Sequence, residues 1–126
     1  MVGVDADPAY GGVVADVTDP DQIAAAVLAS GELDICVANA GISLMQPFLE
    51  GDVGSWERVL RVNLLGVMNT FQQAALAMPR GGRLLATASI AGLHGEATRA
   101  PIAPARRVLS VWCELFPWSW PRRTSR

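Results

Sequence analysis

The sequence predicts an α/β domain built on a parallel β-sheet. Its segments alternate in the order strand, strand, helix, strand, helix, strand, which is typical of that class. Residues 33–38 form an apolar run broken only by Asp34, as expected for a parallel strand buried on both faces. Polar or small residues follow the strand segments, at the edge where open α/β sheets bind ligands.

The elements can be assigned in chain order. Strands are expected over 2–5, 13–17, 33–38 and 84–89. Before the first helix, Thr18-Asp19-Pro20-Asp21 supplies an N-cap, a proline in the first turn and negative charge, and Ser30-Gly31 ends the helix. Apolar residues recur at three- and four-residue steps over 53–78, which predicts one long helix.

Composition excludes several classes of function. The chain of 126 residues is the size of one domain, and 12 acidic against 10 basic residues leave a net charge of −2, so we expect no nucleic-acid partner. Every basic residue is arginine, and the single His94 with two distant cysteines forms no metal-binding pattern. No apolar run reaches the roughly 18 residues of a membrane span, and no signal peptide opens the chain. We therefore expect no membrane partner and a cytoplasmic location.

Four groups at the strand ends are candidate ligand-binding residues: Asp5, Asp16, Asn39-Ala40-Gly41 and Ser89. Each has an ordinary structural explanation, because acids often solvate loops, Asn-Ala-Gly can form a tight turn, and a serine can simply end a strand. Their succession along one predicted edge favours a binding site.

Three motifs resemble the short-chain dehydrogenase/reductase family. Val37-Ala38-Asn39-Ala40-Gly41 is similar to the family's Asn-Ala-Gly turn after its fourth strand, Arg61–Gly66 to the helix segment with the active-site asparagine, and Gly82–Gly92 to the fifth strand with the catalytic serine. The resemblance covers residues 2 to about 97. It implies a partial Rossmann-type, doubly wound parallel sheet containing the second to fifth strands of the family fold.

The resemblance also implies a role for each site residue. Asp5 would bind the adenosine ribose, which favours NAD over NADP because an acid repels a 2′-phosphate. Asp16 and Val17 would contact adenine, and the turn of Asn39, Ala40 and Gly41 would let the nucleotide approach the backbone. Ser89 would polarise a carbonyl or alcohol, and Asn63 would hold a water in a proton relay. The implied protein is an NAD(P)-dependent oxidoreductase acting on a small alcohol or carbonyl compound, with a homo-oligomer possible through the 53–78 helix.

Two departures from the family pattern predict an inactive form. The chain starts at what resembles the second strand, so the glycine-rich loop that cradles the pyrophosphate is not in it, and NAD binding is expected to be weak. The family's Tyr-x-x-x-Lys pair supplies the general acid/base. Its usual spacing from Ser89 leads to Ile102 and Arg106 instead.

The composition changes at about residue 98, which divides an incomplete NAD(P)-binding domain over 1–97 from an aberrant, irregular tail over 98–126. The tail contains three of the four tryptophans and no glycine. Codons read in a shifted frame permit Tyr-Ser-Ala-Ser-Lys from residue 102 onward, so a frameshift is one explanation. A genuine basic tail that binds a partner or a membrane surface is the other. The alternative function is therefore a non-catalytic remnant, or an interaction module that pairs with an intact relative.

Overall fold

Two pairs of parallel strands form the framework of the chain. The computed structural model describes residues 1–79, 81–94, 105, 107 and 108. The strands are β1 (Val4–Asp5), β2 (Val13–Val14), β3 (Ile35–Ala38) and β4 (Arg83–Ala86). β1 pairs with β2, placing Val4 opposite Val13, and β3 pairs with β4, placing Val37 opposite Leu85. No strand of the described residues joins the two pairs, in agreement with the partial sheet that the motifs predict.

Helix α1 (Pro20–Ser30) begins and ends where the sequence predicts. The Asp19 carboxylate caps its N-terminus by accepting hydrogen bonds from the backbone N–H groups of Asp21 and Gln22. Gly31 ends the helix with φ of 74°, in the region that glycine adopts without the steric cost of a Cβ.

The prediction of one uninterrupted helix over 53–78 is wrong, because a π-helical segment interrupts it. Helix α2 (Val53–Leu60) leads into a π-helix (Arg61–Leu65), and helix α3 (Gly66–Leu76) follows. A π segment widens one turn, so the backbone N–H of Gly66 donates to the carbonyl five residues earlier, at Arg61. Short 3₁₀ turns lie at Pro8–Tyr10, Phe48–Glu50 and Ile90–Gly92.

The core consists of two apolar clusters on the helix side of the strand pairs. In the first, α3 covers one face of β3 and β4 through Ala38, Val67 and Phe71, with Leu64, Leu84 and Ala86 partly buried against them. In the second, Ile23 and Ala26 of α1 pack with Ala15, which follows β2, and with Val13 of β2. Helices α1 and α3 also pack against each other, and this contact connects the first strand pair to the second.

The opposite face of β3 and β4 is open, which corrects the prediction that residues 33–38 are buried on both faces. Ile35, Val37 and Leu85 share this face and are 58%, 57% and 51% exposed. The alternation follows from the pleat, which points successive side chains to opposite faces. No described element covers this face.

All four strands are shorter than predicted, so three predicted site residues, Asp16, Val17 and Ser89, lie beyond them. β2 ends at Val14, so Asp16 lies in the following turn, and β4 ends at Ala86, so Ser89 lies three residues past the strand. Of the tail, the structure describes Ala105, which is fully buried, and the exposed Arg107 and Val108. The predicted boundary at 97 and the positions of Ile102 and Arg106 lie outside the described residues.

Candidate functional site

Asp5 and Asp16 lie at the carboxyl ends of the adjacent strands β1 and β2. Asp5 ends β1, and its backbone carbonyl accepts a hydrogen bond from the N–H of Ala15 at 2.9 Å, so Asp16 follows directly beside it. Both side chains are exposed. The Asp5 Oδ1 atom accepts from the N–H of Asp7 at 2.9 Å, which holds this carboxylate at the strand end.

Residues 16–19 form a tightly bonded turn, hereafter the Asp16 turn. The Asp16 Oδ1 atom accepts from the N–H of Thr18 at 2.8 Å and from its hydroxyl at 2.9 Å. Gln22 closes the turn, since its Oε1 accepts from the N–H of Asp16 at 3.0 Å and its Nε2 donates to Asp19 Oδ2 at 2.8 Å. Hydrogen bonds from the backbone and side chain of Gln22 lower the pKa of Asp19 below its ordinary value.

Helix α3 contacts the Asp16 turn at Val17. Asn69 Nδ2 donates to the Val17 carbonyl at 3.0 Å. One turn earlier, Gly66 lies against the Val17 side chain, where an added Cβ would come within 2.7 Å of Val17 Cγ2. A side chain at position 66 would displace Val17, so glycine is required by the close approach.

Asn39, Ala40 and Gly41, which the sequence predicts as a turn, follow β3 directly as irregular backbone, and all three residues are exposed. Asn39 Oδ1 accepts from the Thr87 hydroxyl at 2.7 Å, and the Thr87 N–H donates to the Ala38 carbonyl at 3.0 Å. These bonds join the ends of β3 and β4, so the turn and the segment leading to Ser89 are held together.

Asn63 is fully buried in the π-helical segment, with 0% of its surface exposed. Its Nδ2 donates to the Ile42 carbonyl at 2.8 Å and to the Val59 carbonyl at 2.9 Å. The burial excludes a solvent-facing helix asparagine. Because both amide hydrogens are engaged, the side chain ties the helix to the residue that follows the Asn39-Ala40-Gly41 turn.

Ser89 is half-buried and caps the 3₁₀ turn at Ile90–Gly92. Its Oγ accepts a hydrogen bond from the Ala91 N–H at 3.3 Å. Accepting there leaves the hydroxyl hydrogen as a donor. Ser89 therefore combines a fixed backbone position with a hydroxyl that can donate to a ligand oxygen.

Sequence reasoning missed three residues that organise this edge: Gln22, Asn69 and Thr87. Asn69 and Thr87 bond to partners 52 and 48 residues away in the chain, so only packing reveals those partners. A polar residue inside an apolar strand or helix, as at Thr87 and Asn69, was the available signal. In the part of the chain that the structure describes, no three His, Cys, Asp or Glu side chains are grouped to hold a metal ion.

The sequence model of the family described as short chain dehydrogenase matches residues 5–103 of the chain. The chain belongs to this family. Its fold is of the Rossmann type, and it is similar to a short-chain type dehydrogenase/reductase from Mycobacterium marinum, with a TM-score of 0.76 and 28% identity over 82% of this chain and 44% of that one. It is also similar to a xylitol dehydrogenase solved with NAD⁺ bound, with a TM-score of 0.75 and 25% identity over 81% of this chain and 42% of that one.

Curated relatives of this dehydrogenase-family chain are longer than it is. It is 42% identical to a (-)-trans-carveol dehydrogenase of Rhodococcus erythropolis, over 66% of this chain and 33% of that protein. It is 38% identical to an L-rhamnose 1-dehydrogenase (NAD(P)(+)) of a Sphingomonas species, over 75% of this chain and 40% of that protein. The matched segment thus covers well under half the length of each relative. Among the described helices, none has the length and apolar character needed to cross a bilayer.

Proposed function

We propose that the chain carries the adenosine-binding edge of an NAD-dependent oxidoreductase that acts on a small alcohol or carbonyl compound. The observation that supports this most directly is the placement of Asp5 beside the Asp16 turn, at the carboxyl ends of adjacent parallel strands. That edge is where open α/β sheets bind nucleotides. The xylitol dehydrogenase solved with NAD⁺ and the relatives named for carveol and rhamnose support a nicotinamide cofactor and an alcohol or sugar substrate.

The donor and acceptor groups of this edge fit an adenosine. The Asp5 Oδ2 and Asp16 Oδ2 atoms have no hydrogen-bond partner among the described residues, so each can accept from a ligand. Asp5 would accept from ribose hydroxyls, and its charge disfavours a 2′-phosphate. The small residues Ala40 and Gly41 leave the backbone open to close approach.

The catalytic half of the proposal uses Ser89 and Asn63. NAD would supply the hydride acceptor or donor. Ser89 would donate its hydroxyl hydrogen to the substrate oxygen, orienting and polarising it. Asn63 would hold the π-helical segment against the chain that follows β3 through its bond to Ile42. This bond would fix the backbone beside the position of a relay water.

Replacing Asp5 by alanine tests the cofactor preference. The intact chain is expected to bind NAD in the high micromolar range or more weakly, and to prefer it over NADP. Asp5→Ala should remove that preference because the repulsion of the 2′-phosphate is lost. Asp21→Ala is the matched control, since it removes one exposed acid from the first turn of α1 and should leave the preference unchanged.

Calorimetric titrations with both dinucleotides supply the dissociation constants. A low-micromolar constant for NAD would contradict the expected weak binding. Equal affinities for NAD and NADP in the unaltered chain would contradict the assignment of Asp5 to the ribose.

We further propose that the chain as printed has no measurable dehydrogenase activity. Ile102 and Arg106 stand where the family's general acid/base and its lysine partner are expected, and neither can replace the tyrosine hydroxyl. General acid/base catalysis typically contributes roughly 10²–10⁴-fold to a rate. NAD reduction should be followed with several simple alcohols. Turnover within about tenfold of an ordinary family member would contradict this proposal.

A homo-oligomer through the 53–78 region is proposed on the basis of apolar side chains that this region leaves exposed. Leu65, Met68 and Leu76 are 49%, 42% and 68% exposed, although all three are large and apolar. Light scattering should show a dimer that Met68→Glu dissociates, whereas a monomer at high protein concentration would contradict pairing. The cytoplasmic location stays a prediction.

A second candidate function is pairing with an intact relative without catalysis. The open face of Ile35, Val37 and Leu85 favours it, because contiguous exposed apolar side chains often mark interaction surfaces. The chain should then co-elute with a full-length family member in gel filtration. Val37→Lys should abolish co-elution and Leu49→Lys, in an exposed turn, should not. Separate elution of the unaltered chain would remove this candidate.

A further inference from the structure

Asn69 makes a contact that neither the sequence motifs nor the proposed chemistry uses. It lies half-buried on α3, and its Nδ2 donates to the Val17 carbonyl at 3.0 Å. Val17 belongs to the Asp16 turn, which is 52 residues away in the chain. The bond therefore connects α3, which directly follows the π-helical segment that contains Asn63, to the turn that contains Asp16.

The geometry gives this bond a direct effect on the Asp16 carboxylate. The Val17 carbonyl and the Thr18 N–H are the two ends of one peptide unit, and a peptide unit is planar, so holding one end orients the other. Asn69 holds the carbonyl end, and the N–H end donates to Asp16 Oδ1 at 2.8 Å. Asn69 and the Asp16 carboxylate are thus coupled through a single rigid group.

Packing reinforces the same coupling. Gly66 lies one turn before Asn69 and meets the Val17 side chain so closely that a Cβ would come within 2.7 Å of Cγ2 and 3.0 Å of Cβ. Helix α3 therefore fixes Val17 by its side chain and by its carbonyl. On the other side of the turn, Gln22 holds the Asp16 N–H at 3.0 Å. With its backbone held from both sides, Asp16 presents Oδ2 in one direction.

We propose that Asn69 is a positioning residue for recognition of the adenine 6-amino group by Asp16. The inference rests on the proposed function, in which Asp16 faces adenine. The 6-amino group of adenine is a hydrogen-bond donor, and a carboxylate oxygen is an acceptor only. Asn69 aims Asp16 Oδ2 at that donor by orienting the Val17–Thr18 peptide.

The experiment compares NAD with nicotinamide hypoxanthine dinucleotide, in which an oxo group replaces the 6-amino group. Dissociation constants are measured by NMR titration of the full chain, up to millimolar ligand. The unaltered chain should prefer NAD by roughly tenfold, the size expected for one hydrogen bond to a charged group. Asn69→Leu, which keeps the branching at Cγ and removes the donor, should reduce the preference to near one. A general loss of structure would instead weaken both ligands equally.

Thr70→Val is the matched control on the same helix. The Thr70 hydroxyl bonds to the Gly66 carbonyl within α3 at 2.8 Å, so its removal should leave the preference for NAD intact. Circular dichroism monitors folding. If Asn69→Leu does not fold, Asn69→Ala decides the question, because alanine is the residue most favourable to a helix.

The outcomes separate the inference from the function on which it rests. Loss of the preference in the Asn69 variant, with the preference retained in the Thr70 variant, supports the inference. An Asn69 variant that keeps the preference overturns it, as does an unaltered chain that binds both dinucleotides equally, while the nucleotide site stands. An unaltered chain that binds neither dinucleotide at millimolar concentration overturns both.

Discussion

At the scale of single residues, Asn63 ties the π-helical segment to the residue that follows Asn39-Ala40-Gly41. It is fully buried, and its amide satisfies the carbonyls of Ile42 and Val59. Asn63→Ala removes both bonds and leaves two acceptors without their donor, which should lower the free energy of unfolding by about 2–4 kcal/mol. Urea unfolding measures the change.

Gln72→Ala supplies the comparison for Asn63→Ala, because Gln72 is exposed on the following helix. It should change the free energy of unfolding by less than about 0.5 kcal/mol. If Asn63→Ala behaved like this control, the bond to Ile42 would not hold the helix to the turn after β3.

Candidate site residues could be predicted from the sequence more readily than the residues that hold them in place. Asp5 and Asn39 could be predicted because each directly follows a short apolar run, and Asn63 was marked by its motif. The bonds from Asn69 to Val17 and from Thr87 to Asn39 join residues far apart in the chain. Such pairs form only when α3 packs against the Asp16 turn and β4 against β3, so no local pattern contains them.

At the scale of elements, two aspartate caps should make stability depend on acidic pH. Asp19 caps α1 and Asp52 caps α2. The pKa of each lies below the ordinary value of 3.8, for Asp19 chiefly through the backbone bond from Gln22 and for Asp52 chiefly through the Ser55 hydroxyl. The folded form thus binds protons less readily than the unfolded form. The stabilisation is present above pH 3.8 and is lost as the pH falls through the folded pKa values.

The melting temperature should therefore stay level between about pH 7 and 5 and fall below about pH 4. Asp19→Asn with Asp52→Asn keeps both caps in a form that does not titrate, and should make the fall shallower. Glu57→Gln removes an exposed carboxylate from the body of α2 and serves as the control. An identical pH profile for the double variant and the unaltered chain would contradict the role of the two caps.

Helix boundaries were predictable, but the π-helical segment and the strand lengths were not. Caps at Asp19 and Gly31 are local signals, so α1 was placed correctly. Apolar residues of a helix recur at steps of three or four residues. A π segment adds one residue to a turn, and the resulting step still falls within that range, so the apolar pattern does not reveal it. The strands are shorter than predicted because a strand also needs a paired neighbour, which the sequence does not show.

At the scale of the whole molecule, one face of β3 and β4 is apolar and is not covered by any element of the described residues. The run over 33–38 predicts burial on both faces, yet α3 covers only the face of Ala38 and leaves Ile35 and Val37 open. A largely apolar run indicates that a strand is suited to burial on both faces. It does not specify the element that covers each side, so fold class could be predicted and the extent of burial could not.

The most direct test of the proposed nucleotide site is to identify the residues whose signals NAD perturbs. Backbone amide signals should be followed in the full chain while NAD is added to millimolar concentration. We predict shifts at Asp5, in the Asp16 turn and at Asn39–Gly41. The signals of Leu49 and Leu76 should be unaffected, because these residues lie on exposed parts of other elements. Shifts confined to other surfaces, or none at the three predicted places, would contradict the assignment of this sheet edge to a nicotinamide nucleotide.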